Sequence, residues 1–441
     1  MITFRQLAFY ARWIAGYARC WGADARLVSR RLASMRRLDG GLSRTDYMAV
    51  VAELVVRHSR RLASDLDLYC RCLGAFPGLV KMSLLALAQE GRIQGTALER
   101  GASAGFEYAP WENDDLDLVE FEWYFDAPSV RRIISCFPSA TKSVVSLSVP
   151  TVAPAAAAAG YQVTLLDRSP SLKYRDFGLR AAAAQERLEF VRWDLGEKPY
   201  MDAEQADVVV LDPPWYMDHY RAWLYTATLA CRDGGLIVLP LPQLLTNRRS
   251  FSERKELRKI LSGIGSVKIF KNVLSYVTPS FERAVLAIDD LEHLVRWRRA
   301  DLAVVKVRHR HLPYEFTQVP ELDWKYRRVE GRVIRTWGER SGEEPLPGID
   351  AADRTHGYRL TSVSRNYLTA SAINLVTSGG RAAVVRRWGQ LPQILDLMQD
   401  DVAAEKAIEY ALPGVPAKDK DVLARLLGAL LEREGSSASL R

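Results

Sequence analysis

The amino-acid sequence predicts an α/β fold with a largely parallel central sheet, a helical region before the sheet and a mixed α/β region after it. Between residues 128 and 290, short apolar segments alternate with segments of helical periodicity. This alternation is typical of a parallel sheet that is covered by helices on both faces. A chain of 441 residues has room for roughly two to four domains.

Residues 1–105 are expected to form a helical N-terminal domain, because their apolar residues recur at helical spacing. Three helices followed by two short strands is the order of a winged helix. A plain helical bundle that braces the next domain is the alternative. The helices are expected over residues 45–60, 66–73 and 79–88, and two strand-like segments lie at 92–95 and 106–108.

Residues 106–127 are expected to be an acidic connector. Eight carboxylates lie in this segment, the last of them Asp126, and a run of charge usually forms a solvated surface. Such a segment would repel nucleic acid locally.

The central sheet is expected within residues 128–290. Its strands are predicted from short apolar segments bounded by turn residues. The alanine-rich segment 152–159 and residues 220–231 are predicted to be helices between strands. Strands are expected at 144–148, 163–167, 188–192, 208–211 and 236–239, and further strands at 266–270 and 285–288.

The remaining residues are expected to form a mixed C-terminal substrate or interaction domain over residues 291–434. It contains a loop-rich stretch and a helical end from residue 402 onward. Residues 435–441 are expected to be a disordered tail.

The strongest chemical motif is Asp212-Pro213-Pro214-Trp215, which is followed by Tyr216. It comes directly after a predicted buried strand, where ligands bind in open α/β sheets. The Asp212 carboxylate can accept an N–H from an amino group, and a carbonyl of the stiff Pro-Pro turn can accept another. Trp215 or Tyr216 can stack on a flat substrate. The motif therefore predicts chemistry at a positioned amino nitrogen.

Two further aspartates follow predicted strands. Asp167 ends the second strand, where an acid commonly holds ribose hydroxyls, and Asp194 follows the third strand, where it could receive an adenine amino group. The loop after the first strand has no GxGxxG pattern, which disfavours a dinucleotide site. Its candidate cofactor-binding residues are Ser146, Ser148, Pro150 and Thr151.

The span from Phe121 to about Leu241 resembles the N6-adenine-methyltransferase-like group of class I S-adenosylmethionine (SAM) enzymes, which also contains elongation-factor lysine methyltransferases. The matching segments are Phe121–Tyr124, Leu147–Thr151, Thr164–Asp167 and Asp212–Trp215. One departure is that glycines typical of the first loop are replaced here by Pro150-Thr151. The resemblance implies a Rossmann-like methyltransferase fold, SAM as the cofactor and direct transfer to an amino nitrogen without a metal.

The substrate stays open at this stage. Adenine N6 in DNA or RNA is favoured, so nucleic acid is the expected partner. Protein lysine methylation, aminopropyl transfer to a branched polyamine and a catalytically silent SAM-fold module are the alternatives. The resemblance implies that Trp123 and Tyr124 cover the active site, against a plain aromatic core cluster.

Several weaker candidates are drawn from the sequence alone. His219 follows the motif and could act as a base, and Phe281 lies in the segment 276–282 that is expected to face the substrate. His309 and His311 lie among arginines and are either phosphate contacts or a basic strand edge. Arg386-Arg387-Trp388 combines cation and aromatic as single-stranded nucleic acid sites do.

The charge favours no single partner. The net charge is +8, from 61 Lys and Arg against 53 Asp and Glu. Guanidinium groups suit phosphate, whereas genomic compositional bias would carry no functional meaning. The basic clusters that could contact phosphate are Arg30-Arg31, Arg36-Arg37, Arg308-His309-Arg310 and Arg386-Arg387. No apolar run of about 18 residues occurs, and a cytoplasmic location is expected.

Overall fold

The computed structural model describes most of the central sheet and parts of the regions on either side. The described residues are 44–59, 65–89, 93, 123–168, 182–200, 205–279, 282–283, 286, 291, 293–309, 312, 314–319, 324–329, 332–337, 358–359, 375–377, 381–383, 391–400, 402–413 and 417–431. They divide into two compact units. The first contains residues of the ranges 1–114, 123–278 and 293–320, and the second contains residues of the ranges 115–122, 279–292 and 321–441.

The helices of the first unit lie before the sheet and between its strands. Alanine dominates one of them, and Asp126 caps another by accepting the Ser129 N–H. They are α1 (Arg44–Ser59), α2 (Asp65–Arg71), α3 (Pro77–Gln89), α4 (Ala127–Ile134), α5 (Val152–Ala158), α6 (Ala182–Gln185), α7 (Met217–Ala230) and α8 (Ser250–Ile264).

The strands of the first unit are rich in Val, Ile and Leu and buried at the centre of the sheet. They are β1 (Tyr124–Phe125), β2 (Ser143–Leu147), β3 (Gln162–Asp167), β4 (Leu188–Arg192), β5 (Ala206–Leu211), β6 (Cys231–Pro242), β7 (Gly265–Val277) and β8 (Arg299–Val307). Six of the seven strands expected from the sequence are therefore present.

These eight strands form one sheet in the order β4-β3-β2-β5-β6-β8-β7-β1. Strands β2 to β6 are parallel to their neighbours in that group. Strand β8 is antiparallel to β6 and β7, and β1 is antiparallel to β7. The predicted parallel α/β sheet is confirmed, and the strand order reverses between β2 and β5, where such sheets bind ligands.

The last sheet strand differs from the prediction. The described residue of the segment 285–288, Leu286, is helical, and the final strand is β8 instead. Strand β8 is not predicted from the sequence because it contains Asp301, a charged residue that is unfavourable in a buried strand. In the structure Asp301 pairs with Arg254 at 2.6 Å and accepts the Asn272 N–H, so its charge is neutralised. The sheet thus extends beyond the expected limit at residue 290.

The end of the expected acidic connector also differs. Residues 106–122 lie outside the described residues, but Tyr124 and Phe125 form β1 of the sheet. Asp126 is buried rather than solvated, because it caps α4, accepts the Ser275 hydroxyl and lies 3.8 Å from the Arg296 guanidinium.

Helices α1 to α3 match the three helices expected at the N-terminus and belong to the same compact unit as the sheet. The Tyr47 hydroxyl donates to the Leu245 carbonyl at 2.6 Å, and the Leu245 N–H donates to the Leu73 carbonyl at 2.8 Å. These contacts join the helices to the loop after β6. The expected wing segments 92–95 and 106–108 fall almost entirely outside the described residues.

The second unit is mixed α/β. Its antiparallel sheet has the order β11-β13-β12-β10-β9, and apolar residues of this sheet and its helices form a separate core. The elements are β9 (Trp324–Val329), β10 (Arg332–Trp337), β11 (Tyr358–Arg359), β12 (Leu375–Thr377), β13 (Arg381–Ala383), α9 (Leu391–Gln399), α10 (Ala404–Ala411) and α11 (Ala417–Leu431). Among the described residues of the chain, no helix has the length and apolar character needed to cross a bilayer.

Candidate active site

One edge of the large sheet gathers the side chains with chemical potential. Asp212 follows β5, and Tyr276 lies near the end of β7, which runs in the same direction. Because β1 and β8 run antiparallel to β7, the residues that precede them, Trp123 and Arg298, lie at this same edge. Strand direction therefore brings together residues from four distant parts of the sequence.

Asp212 is the centre of this site. The Tyr276 hydroxyl donates to Asp212 Oδ1 at 2.9 Å. Burial raises the pKa of Asp212 to about 7, although hydrogen bonds from Tyr276 and Trp215 and the positive charge of Arg298 oppose that rise. A carboxylate has about four lone-pair positions, so Asp212 retains the capacity to accept an N–H from a substrate.

The two prolines make the turn after β5 stiff. Pro213 is buried and Pro214 is exposed, and the Pro214 carbonyl accepts the Tyr216 N–H at 2.6 Å. Tyr216 then begins α7 as its N-cap residue, in an extended backbone conformation. The turn fixes the direction in which Asp212 and Trp215 leave the sheet.

Aromatic rings surround Tyr276 and thereby the Asp212 carboxylate. The Phe125 ring is 4.5 Å from the Tyr276 ring, the Trp215 ring is at 5.6 Å and the Trp123 ring is at 6.4 Å, the last two edge to face. Such contacts hold flat rings in fixed orientations. The site is thus an acidic group with apolar, planar walls.

Arg298 is the residue that the sequence reasoning missed. Its guanidinium carbon lies 4.0 Å from the Trp123 ring centre and 4.8 Å from that of Trp215, and its carbonyl accepts the Tyr276 N–H at 3.1 Å. The available signal was the segment Val295–Arg299, in which one tryptophan is flanked by arginines. Because the last strand was expected at 285–288, this segment was expected to follow the sheet, whereas it leads into strand β8.

The other predicted substrate residues have different positions. Trp123 contributes to the aromatic walls, whereas Tyr124 is 2% exposed and it is Phe125 that packs on Tyr276, because neighbouring strand residues point to opposite faces. The His219 ring lies near those of Tyr216 and Trp223, at 6.0 and 6.5 Å. Phe281 lies outside the described residues, so its role stays a prediction.

The predicted cofactor residues lie at the ends of β2 and β3. Asp167 is 2% exposed at the end of β3. Ser148 adopts a φ of +50°, a left-handed conformation that normally favours glycine, and its N–H donates to the Leu166 carbonyl at 2.8 Å. The loop therefore makes the glycine-like turn without glycine, and the residue types present are compatible with a nucleoside held against Asp167.

The remaining loop residues make contacts within the loop and the turn after β4. The Ser146 hydroxyl donates to the Val149 carbonyl at 3.1 Å, and Pro150 and Thr151 are buried beside the start of α5. Asp194 Oδ1 accepts the N–H groups of Gly196 and Glu197 at 2.8 and 3.3 Å. Asp194 therefore stabilises the turn after β4, and its contact with a cofactor stays a prediction.

The two predicted basic contacts that the structure describes, Arg308 and His309, do not lie at this edge. Arg308 and His309 follow the carboxyl end of β8, and because β8 runs antiparallel, they lie at the opposite edge, where both backbone N–H groups donate to the Ile264 carbonyl. His311, Arg310, Arg30, Arg31, Arg36, Arg37 and the segment Arg386-Arg387-Trp388 lie outside the described residues.

Searches with protein-family models and with the sequences of curated proteins give no match. Solved structures do resemble the chain. A branched-chain polyamine synthase from Thermus thermophilus, in complex with N4-aminopropylspermidine and 5'-methylthioadenosine, has 17% identity and a TM-score of 0.45, covering 62% of this chain and 90% of that one. A T. thermophilus 16S rRNA N2 G1207 methyltransferase has 15% identity and a TM-score of 0.27, covering 50% and 49%.

A glycopeptide N-methyltransferase is also similar, with 19% identity and a TM-score of 0.22 over 25% of this chain and 51% of that one. At these values the likenesses identify no activity. The fold itself rests on the sheet: the six strands β2 to β7 run in one direction, and antiparallel β8 lies between β6 and β7, which is the Rossmann-like α/β sheet that the sequence predicted.

Proposed function

We propose that the protein is a SAM-dependent transferase that methylates an amino nitrogen, with adenine N6 in DNA or RNA as the favoured acceptor. The observation that carries this proposal is the partly buried Asp212 carboxylate, fixed by Tyr276 at the carboxyl edge of the sheet and bounded by aromatic rings. A hydrogen-bond acceptor between planar apolar walls suits an amino group on a flat ring.

Asp167 and the loop Ser146–Thr151 are the residues that would hold the cofactor. Asp167 is a buried acid at the position where ribose hydroxyls are bound in open α/β sheets. The left-handed turn at Ser148 gives the loop the backbone path that glycine gives elsewhere. When bound, SAM would supply an electrophilic methyl group.

The chain's own residues orient the acceptor. Asp212 accepts an N–H and thereby aims the nitrogen lone pair, and Tyr276 keeps the carboxylate from rotating. The nitrogen must lose one proton when it is alkylated, and a carboxylate with a pKa of about 7 can take that proton near neutral pH. Trp123 and Trp215 exclude water from the site, which strengthens these interactions.

An aliphatic amine is the second candidate acceptor, either a protein lysine or a polyamine that receives an aminopropyl group from decarboxylated SAM. The observation in its favour is the raised pKa of Asp212. An aliphatic amine must be deprotonated before it attacks, so a base that titrates near neutral pH serves it well.

A labelling experiment tests the proposal. The full chain would be incubated with tritiated SAM and separate pools of DNA, RNA and protein, with the Asp212→Ala variant as the matched control. Label in a nuclease-sensitive pool that requires Asp212 supports adenine methylation. Label in protein alone supports the lysine alternative. Absence of both label and S-adenosylhomocysteine binding would leave only a silent SAM-fold module.

Nucleic acid as the partner requires a positive surface away from the acidic site. Each phosphate contact contributes about −0.9 to the log–log salt slope of duplex binding. Binding to DNA or RNA should therefore weaken steeply as salt rises, and reversing charge at Arg386-Arg387 should flatten the slope if that cluster contacts phosphate. Salt-independent or absent binding would contradict the nucleic-acid partner.

A further inference from the structure

We propose that Arg298 determines acceptor specificity, by making the pocket around Asp212 accept a neutral planar amine and reject an aliphatic ammonium ion. This inference rests on the proposed function, because it names the acceptor class of the same site. The inference is drawn from the position of the Arg298 guanidinium group, which could not be deduced from the Asp212–Trp215 motif or from the fold class.

The guanidinium is held by packing. Its carbon lies 4.0 Å from the Trp123 ring centre, 4.8 Å from that of Trp215 and 5.8 Å from that of Trp297. The Trp123 and Trp297 rings also pack edge to face at 6.1 Å. A cation between aromatic faces is stabilised by their quadrupoles, so the positive charge stays at a fixed place beside the acceptor pocket.

Tyr276 links this cation to the catalytic carboxylate. Its backbone N–H donates to the Arg298 carbonyl at 3.1 Å, and its hydroxyl donates to Asp212 Oδ1 at 2.9 Å. The backbone of Arg298 is therefore tied to the residue that orients Asp212, so an amine bound at the Asp212 carboxylate would also lie in the field of the Arg298 guanidinium.

The neighbouring arginine does not share this role. Arg296 is 4% exposed and lies 3.8 Å from Asp126, which compensates its charge. At the pocket, the Arg298 charge opposes that of Asp212. A site built to bind ammonium would combine carboxylate with aromatic rings and contain no fixed cation, because two like charges repel strongly where water is excluded.

Calorimetry with two probes tests the inference. Spermidine serves as the aliphatic polycation, and adenosine serves as the neutral planar amine, in the presence of saturating S-adenosylhomocysteine so that the cofactor pocket is filled. The variants are Arg298→Gln, which removes the charge, and Arg298→Lys, which keeps it. Arg232→Gln is the matched control, because Arg232 pairs with Asp207 at the opposite edge of the sheet.

Spermidine should bind Arg298→Gln on the order of tenfold more tightly than wild type, since the repulsion between the guanidinium and the ammonium groups of spermidine is removed. Arg298→Lys and Arg232→Gln should keep the weak affinity of wild type, and adenosine should change by less than about threefold throughout. Equal spermidine affinity in wild type and Arg298→Gln, or preferential transfer to spermidine by wild type, would overturn the inference. Failure to bind S-adenosylhomocysteine would instead count against the proposed function, and the spermidine comparison would still decide the role of Arg298.

Discussion

Asp207 and Asp212 lie at the two ends of strand β5, and the protein gives them opposite electrostatic environments. At the amino end, burial acts to raise the pKa of Asp207, but the N–H groups of Lys142 and Ser143 and the Arg232 guanidinium outweigh it and lower that pKa. At the carboxyl end, burial dominates and raises the pKa of Asp212 to about 7.

The difference teaches how one residue type acquires two roles on one strand. Backbone N–H groups donate to Asp207, so its carboxylate is neutralised by the sheet that it stabilises. Asp212 accepts from the side chains of Tyr276 and Trp215 within aromatic walls, so its charge is costly to the fold and available for chemistry. Perturbed carboxylates of this second kind cluster at functional sites.

Replacing Asp212 should produce the largest contrast. Asp212→Ala should lower the transfer rate by about 10²–10⁴-fold, because the group that orients and deprotonates the amine is lost. S-adenosylhomocysteine affinity, measured by calorimetry, should stay near that of wild type. Asp207→Ala is the matched control and should retain transfer at permissive temperature. Wild-type turnover in Asp212→Ala would contradict the proposed role of Asp212 in orienting and deprotonating the amine.

A third strand-end acid extends the comparison to the cofactor. Asp167→Ala should weaken S-adenosylhomocysteine binding by about 10–100-fold, because a buried acceptor for ribose hydroxyls is removed. Asp194→Ala should have a smaller effect, since the Asp194 carboxylate is engaged by the turn after β4. Unchanged affinity in Asp167→Ala by calorimetry would contradict the proposed ribose site.

Tyr276→Phe isolates the hydrogen bond that distinguishes Asp212. Loss of the Tyr276 hydroxyl removes a hydrogen-bond donor to the ionised Asp212 carboxylate, so the pKa of Asp212 should rise further. The acid limb of the pH–rate profile should then move to higher pH by about one pH unit. Activity at neutral pH should fall by roughly tenfold. Tyr220→Phe is the control, because the Tyr220 hydroxyl donates to the Pro240 carbonyl at 3.0 Å. An equal displacement in both variants would show that Tyr276 has no specific role.

The smallest expected effect is on stability, and its sign separates the two aspartates. A folded-state pKa above the unfolded-state pKa contributes stability at low pH, and this contribution is lost as the pH rises through about 7. The Asp212→Asn variant lacks this loss, so relative to wild type it should become increasingly stable between pH 4 and 7. A folded-state pKa below the unfolded-state pKa contributes stability at neutral pH, and this contribution is lost on acidification. Asp207→Asn should therefore destabilise the protein at neutral pH, and the difference from wild type should disappear in acid.

Thermal denaturation over this pH range measures both effects, and a difference of about 2 °C or more is expected for each variant. Melting temperatures that move in the same direction for both variants would show that the two carboxylates do not differ as described.

Local patterns were sufficient for much of the fold. Runs of Val, Ile and Leu placed β2 to β7, and helical spacing placed α1 to α3, because each depends on contacts repeated along a short segment. Strand β8 was missed because the cost of placing Asp301 in a sheet is offset by Arg254, a partner 47 residues away in the sequence. The buried position of Asp126 was missed for the same reason, since Arg296 and Ser275 are distant.

The candidate site shows the same division. The sequence by itself determined that Asp212-Pro213-Pro214-Trp215 follows a buried strand and that Asp167 ends another, since apolar periodicity and stiff turns are properties of neighbouring residues. Only the tertiary structure decided that Tyr276, Trp123 and Arg298 lie at the same edge of the sheet as Asp212, because their position depends on the direction in which β1, β7 and β8 cross the sheet. The pKa of Asp212 depends on that same assembly, since burial and the charge of Arg298 exist only once the strands have come together.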